Sequence, residues 1–133
     1  AIAGEVARWV GGHLALTPNG DFVDGRQAAV HFRDLAVEEQ ARLVEVDPDY
    51  GRIVCRCETV TRKEVLRAIG NPIGVSTLDG IKYRSRTMMG RCQGGFCGPR
   101  VVEMLMAHAG VAPTDITLKG PGSSLFVGST KAR

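Results

Sequence analysis

The spacing of apolar residues predicts helices in five stretches of the chain. The first stretch, residues 1–12, repeats apolar side chains at helical intervals that include Trp9. The second stretch, residues 35–46, has an apolar face and carries Glu38 and Glu39 in its first turn, where acidic side chains favour a helix. These two amphipathic segments precede a more strongly marked helical region in the second half of the chain.

Residue types that begin and end helices mark that region. Thr61 and Glu64 form the S/T-x-x-E capping pattern, and Gly70 closes the apolar run that follows them. A second helix is expected across "LDGIKYRSR", with Ser76 or Thr77 as its cap and its end near Gly90. The third extends from Pro99, in the first turn, to Gly110.

The extended segments are few and short. "HLAL" and "DFV" flank an Asn19-Gly20 dipeptide and are predicted as a small hairpin, while "RIVCRC" is rich in β-branched residues. The tail "DITLKGPGSSLFVGSTKAR" has two β-prone runs around a Gly-Pro-Gly turn. The predicted fold class is therefore mainly α with short β segments.

Composition narrows the class of protein. The chain has 133 residues, 44% hydrophobic and 23% charged, which suits one soluble domain or one domain with an appendage. Its net charge of +3 is too small to argue for nucleic acid, and no apolar run is long enough for membrane insertion. The start lacks the features of a signal peptide and begins within a helical pattern, so we expect a cytoplasmic fragment of a longer protein.

The four cysteines are the main chemical feature. Cys55 and Cys57 form a C-x-C pair, and Cys92 and Cys97 form a C-x4-C pair after an interval of thirty-four residues. A Cys55–Cys57 disulfide would be strained, and cytosolic thiols are usually reduced. Structural zinc usually uses C-x2-4-C pairs, whereas a Rieske site needs histidines that this chain does not place near its cysteines. A metal site remains the favoured interpretation.

The surroundings of the cysteines suit a negatively charged group. Gly94, Gly95 and Gly98 allow close approach of the backbone, and the helix starts near residues 61 and 99 add positive dipole ends. The stretch from 81 to 102 contains no acid and five basic residues: Lys82, Arg84, Arg86, Arg91 and Arg100. Thiolates that bind iron and sulfide carry net negative charge, which such a loop would stabilise.

The cysteines and the segments around them also match a known pattern. The cysteine spacing, with "YGRIVCRCETVT", "TLDGIKYRSR" and "MGRCQGGFCGPRVVEML", resembles the bacterioferritin-associated-ferredoxin-like [2Fe–2S] domain. The form it resembles is fused to the C-terminus of FAD-dependent dehydrogenases such as the anaerobic glycerol-3-phosphate dehydrogenases. The resemblance covers roughly residues 31–130.

The resemblance implies a small helix–turn–helix-like domain whose loops hold a [2Fe–2S] cluster. It places Cys55, Cys57, Cys92 and Cys97 at the cluster-ligand positions. It also places six residues around the cluster: Arg56, Arg91, Gln93, Gly94, Gly95 and Phe96. Residues 1–30 would be a remnant helix and linker of the FAD domain, residues 31–112 the cluster domain and residues 113–133 a β-prone tail.

By the same resemblance, the parent flavoenzyme oxidises a small hydroxy substrate, with sn-glycerol 3-phosphate as the leading candidate. FAD would take a hydride, and the cluster would relay electrons to a quinone-linked subunit or another carrier. The fragment itself would supply no catalytic residue. It would contact its own FAD domain and other subunits, and it would approach the membrane only peripherally, through those partners.

Two other functions stay open. The first is a structural or assembly domain that holds zinc or no metal. The second is an independent iron–sulfur carrier, like the ferredoxin that partners bacterioferritin. A colourless protein would favour the first, and a cluster domain without a flavoprotein would favour the second.

Overall fold

The computed structural model describes residues 2–23, 25 and 28–130. The five α-helices in these residues are α1 (Ile2–Leu14), α2 (Val37–Val46), α3 (Arg62–Ile69), α4 (Leu78–Ser85) and α5 (Gly98–Ala109). Two strands, β1 (Ile53–Cys55) and β2 (Val60–Thr61), pair antiparallel, and three 3₁₀ turns cover Phe32–Asp34, Pro48–Gly51 and Pro113–Asp115. The mainly α prediction is confirmed.

Helices α3, α4 and α5 pack around the core of the domain. Val65, Ile81, Val101, Leu105 and Ile116 are completely buried there, one or more from each helix and one from the tail. Burying a side chain of this size contributes about 1.5–3 kcal/mol. Two of the four cysteines share this core, so the packing of the three helices also determines where those thiols lie.

The predicted capping box forms at the start of α3. The hydroxyl of Thr61 accepts a hydrogen bond from the Glu64 backbone N–H at 3.3 Å, and the Glu64 carboxylate accepts one from the Thr61 N–H at 2.8 Å. Both side chains are buried, and Gly70 is the C-cap as predicted. This start matters for function because β2 leads directly into α3, which anchors the turn that carries Cys57.

Helix α4 ends earlier than the sequence predicts. Thr77 is its N-cap, and the helix stops at Ser85 rather than near Gly90. Arg86 follows in the left-handed conformation with φ +65°, and Met88 also has positive φ at +66°. The chain from Arg86 to Gly90 is therefore a loop, and this loop leads directly into Cys92.

Two of the predicted β segments are wrong. His13 and Leu14 of "HLAL" belong to α1, and "DFV" lies in a turn and coil after Asn19, whose side chain accepts from the Asp21 N–H at 3.0 Å. The turn is present, but these segments have no strand to pair with among the described residues. Strands are stabilised by cross-strand partners, so β-prone composition alone does not produce a hairpin.

The C-terminal tail forms isolated bridges rather than the two expected strands. Thr117 bridges to Thr77 and to Ser124. The carbonyls of Thr117 and Leu118 accept hydrogen bonds from the first two backbone amides of α4, at 3.1 and 3.0 Å. The tail thus satisfies donors that a helix start leaves unpaired.

None of the described residues of helix α1 is buried, and all of them except Val10 and Gly11 are exposed. Its Trp9 side chain is 67% exposed. Among the described residues no helix is long and apolar enough to cross a membrane.

Candidate metal centre

Two loops bring the four thiols together. Cys55 ends β1 and Cys57 lies in the turn before β2, while Cys92 and Cys97 lie in the turns that lead into α5. Cys55 and Cys97 are almost completely buried, whereas Cys57 is exposed and Cys92 half-buried. The site therefore has a buried side in the helical core and an open side toward solvent. All four are free cysteines, so the structure contains no disulfide between them.

The thiols interact across the two loops, one from each motif. Cys57 is among the groups that lower the pKa of Cys92, and Cys55 is among those that raise the pKa of Cys97, so each thiol of one motif lies near a thiol of the other. Cys92 and Cys97 also lie close enough to affect each other electrostatically. These proximities bring the thiols of the two motifs into one region, although the motifs are far apart in the sequence.

Backbone amides converge on Cys92. Hydrogen bonds from the N–H of Phe96, then from the Cys57 side chain and the N–H of Gly94 and Gly95, lower the pKa of Cys92. Gly94 has φ +88°, a conformation that favours glycine, and an added Cβ there would meet the Met88 side chain at 3.1 Å. The loop is thus shaped to stabilise a negatively charged sulfur.

Cys97 has the opposite environment. Burial raises its pKa to about 11, with the neighbouring Cys55 as the next cause, while a hydrogen bond from the Met88 N–H acts in the other direction. A bound metal ion supplies the positive charge that such a buried thiolate needs, and its binding releases the proton. Met88 was not identified from the sequence as a site residue, because its contribution comes from the backbone.

Gly90 allows the two loops to approach closely. A Cβ built on Gly90 would lie 2.2 Å from the Cβ of Cys57 and 3.4 Å from both its Cα and its sulfur. Real atoms do not approach so closely, so only glycine fits beside the Cys57 turn. The sequence shows Gly90 as the residue two positions before Cys92, but nothing in the pattern indicates this contact.

The predicted basic and aromatic residues occupy the outer side of the site. The Arg56 and Arg100 guanidinium groups lie over the Phe96 ring, 4.6 and 4.4 Å from its centroid. Arg91 is exposed and has no ion-pair or hydrogen-bond partner among the described residues. Gln93 instead uses its side chain within the loop, donating to the Gly90 carbonyl at 3.0 Å. Unlike the others, Arg100 is predicted from the sequence only as a basic residue of this stretch and not as a residue around the cluster.

The donor set determines which metal group fits. Within the described residues, no group of three or more His, Cys, Asp and Glu side chains is placed to hold a metal ion. A [2Fe–2S] cluster makes a different demand, because each of its two irons takes two thiolates and its sulfurs accept hydrogen bonds. The site fits a [2Fe–2S] cluster, because it offers two adjoining thiol pairs, backbone donors near the sulfurs and flanking arginines.

The family of BFD-like [2Fe–2S] binding domains matches residues 53–107 of the chain. A glycerol 3-phosphate dehydrogenase of Caloramator mitchellensis is 44% identical over 107 residues, which is 80% of this chain and 22% of that protein. Hydrogen cyanide synthase subunit HcnB of Pseudomonas aeruginosa is 43% identical over 60 residues, 42% of this chain and 12% of that protein.

One component of the anaerobic glycerol-3-phosphate dehydrogenase of Escherichia coli is 42% identical over 53 residues, 40% of this chain and 10% of that protein. The chain thus spans less than a quarter of the length of each of these three relatives. No solved structure matches the chain.

Proposed function

Since residues 53–107 belong to the family of BFD-like [2Fe–2S] binding domains, we propose that this chain is the iron–sulfur electron-transfer part of a dehydrogenase. Its cluster ligands are Cys55, Cys57, Cys92 and Cys97. The observation that carries the proposal is the close approach of the two cysteine loops, in which Gly90 lies against Cys57 while Cys55 and Cys97 share one buried core. When bound, a [2Fe–2S] cluster accepts and releases single electrons.

The chain's own residues hold and insulate the site. The buried Cys55 and Cys97 attach the cluster to the helical core, and the amides of Met88, Gly94, Gly95 and Phe96 stabilise negative charge on the sulfurs. Hydrogen bonds to the sulfurs and nearby charge are the means by which a protein sets the reduction potential of a cluster. Arg56 and Arg91 contribute positive charge from the solvent side.

The parent protein is proposed to be an FAD-dependent glycerol-3-phosphate dehydrogenase. Two of the relatives described above carry the name of that enzyme, and the alignment with one of them extends over 107 residues, against 60 for the hydrogen cyanide synthase component. FAD would take a hydride from sn-glycerol 3-phosphate, and the electrons would continue through this domain to a quinone-linked acceptor. The protein would act in the cytoplasm, peripherally at the inner face of the membrane through partner subunits.

The domain bounds follow from the same proposal. Residues 1–30 would be a remnant helix of the FAD domain and a linker, and the absence of buried residues in α1 is consistent with a helix that packs elsewhere in a longer protein. Residues 31–112 form the cluster domain. Residues 113–133 form the tail, whose described part supports the start of α4.

The experiment is a single-turnover reduction of the full-length enzyme under anaerobic conditions. Adding sn-glycerol 3-phosphate should bleach the flavin absorbance and then produce the EPR signal of a reduced cluster. The Cys92→Ser variant should still bleach its flavin but give no such signal. Flavin bleaching in the wild-type enzyme while a bound cluster stays oxidised would exclude the relay. A folded wild-type enzyme without iron would support the structural role instead.

A further inference from the structure

Glu58, the residue directly after Cys57, connects three separate segments of the chain. Its Oε2 accepts hydrogen bonds from Arg33 Nη1 at 2.8 Å and from Arg86 Nε at 3.2 Å. The Glu58 side chain is only 15% exposed, although both arginines are about half exposed. One arginine lies in the 3₁₀ turn before α2, and the other ends α4.

The backbone around these contacts is constrained. Thr59 has φ +51°, as the chain reverses between β1 and β2, and Arg86 has φ +65°. A non-glycine residue in this region persists where surrounding contacts hold it. The Glu58–Arg86 pair supplies such a contact at both turns, because it ties the turn after Cys57 to the loop that leads into Cys92.

The same two segments meet at a second point. Gly90, two residues before Cys92, lies against the Cβ of Cys57. The Gly90 contact is made by Cys57 and the ion pair by the next residue, Glu58, so two adjacent residues tie this turn to the loop before Cys92. Together they leave the Cys57 turn little freedom to move away from Cys92, even though Cys57 itself is exposed.

We propose that Glu58 is a positioning residue that holds Cys57 beside Cys92 through its ion pair with Arg86. This inference rests on the proposed cluster site. It assigns Glu58 a geometric role rather than an electrostatic one, since its negative charge is offset by the two arginines that bind it. Residues that orient metal ligands in this way typically change metal affinity by roughly 10–100-fold when they are removed.

The test compares Glu58→Ala, Arg86→Ala and the double variant in the full chain with its cluster. Each single variant should lose its cluster to a chelator about tenfold faster than the wild type, by loss of visible absorbance. The double variant should lose it no faster than the singles, because both changes remove the same contact. Glu58→Gln, which keeps the shape and one acceptor oxygen, should lie between the wild type and Glu58→Ala.

Two controls separate positioning from other effects. Thr77→Ala removes the cap at the far end of α4 and should destabilise the fold without shortening the cluster lifetime. Glu38→Gln removes an exposed acid on α2 and should change nothing. A lifetime in Thr77→Ala as short as in Glu58→Ala would overturn the proposal in favour of a general structural role.

The reduction potential distinguishes geometry from charge. If charge alone mattered, Glu58→Ala would raise the potential, Arg86→Ala would lower it, and both lifetimes would stay at the wild-type value. That result would also overturn the proposal. The positioning role predicts that the cluster lifetime shortens in both variants. It also predicts that the EPR line shape changes in the same way in Glu58→Ala and in Arg86→Ala.

A readout without the cluster keeps this test independent of the proposed function. In cluster-free protein, oxidation with diamide should form the Cys57–Cys92 disulfide several-fold more slowly in Glu58→Ala than in the wild type, as mapped by mass spectrometry. Equal rates would contradict the positioning role. A wild-type protein that binds no cluster would contradict the proposed function, and the disulfide rates would still decide the role of Glu58.

Discussion

Replacing Gly90 by alanine should push apart the two loops that carry Cys57 and Cys92. The added Cβ would lie 2.2 Å from the Cβ of Cys57, whereas carbon atoms in contact are about 3.5–4.0 Å apart. The loops would therefore have to separate by roughly 1.3–1.8 Å. The contacted atoms are the Cβ and Cα of Cys57, so rotation of a side chain cannot relieve the clash.

The cost of this substitution follows from overpacking a buried site. Gly90 is buried, and extra methyl groups in well-packed regions typically destabilise a protein by about 1–3 kcal/mol. For a domain of this size, such a loss lowers the melting temperature by several degrees. The effect on the site should be larger than the effect on stability, because a displacement of more than about 1 Å exceeds the roughly 0.5 Å tolerance of a preorganised site.

The assay has two parts and a matched control. Urea unfolding of the cluster-free protein measures stability, and iron and sulfide content after anaerobic reconstitution measures the site. Gly98→Ala is the control, since Gly98 directly follows Cys97 at the start of α5 but an added Cβ there meets nothing within 4 Å. Gly90→Ala should lose most of its cluster and Gly98→Ala should keep it. Full cluster content and unchanged stability in Gly90→Ala would refute the close approach of the loops.

Other predictions concern the cap, the thiols and the N-terminal helix. Thr61→Ala removes a buried cap and should cost about 1–2 kcal/mol in urea unfolding; no measurable loss would contradict the capping box. In cluster-free protein near neutral pH, iodoacetamide should alkylate Cys92 before Cys97, because amide hydrogen bonds lower the pKa of Cys92 while burial raises that of Cys97. Raising the pH toward 11 should narrow the difference in alkylation rate between Cys92 and Cys97. Peptide mapping that finds Cys97 modified first would contradict the predicted order of reactivity. Trp9→Ala should change the free energy of unfolding by less than about 0.5 kcal/mol, because this side chain is exposed; a larger loss would show that α1 packs against the domain.

Local signals account for what the sequence predicts well. Helices α3 and α5 begin and end where a capping box, a first-turn proline and terminal glycines indicate, because those residues act within one helical turn. The early end of α4 was missed. The residue that ends it, Arg86, has an unusual backbone conformation that its residue type does not indicate, and its ion pair with Glu58 is made across 28 residues.

The candidate site likewise combines features that the sequence shows with contacts that it does not show. The four cysteines and the glycine-rich loop are visible in the sequence, since their spacing is itself the signal. Which thiol lies beside which is not visible, because Cys55 meets Cys97 only when β1 and α5 pack in the same core. The roles of Met88, Gly90 and Glu58 also depend on long-range packing, so they emerge only from the three-dimensional structure.

The most direct test of the central proposal is the iron and acid-labile sulfide content of protein purified without oxygen, with an EPR spectrum after dithionite reduction. The proposal predicts about two irons and about two sulfides per chain, with a paramagnetic signal that disappears when Cys55, Cys57, Cys92 or Cys97 is replaced by serine. A colourless, folded protein that cannot be reconstituted with iron and sulfide, and that holds zinc or no metal, would contradict it.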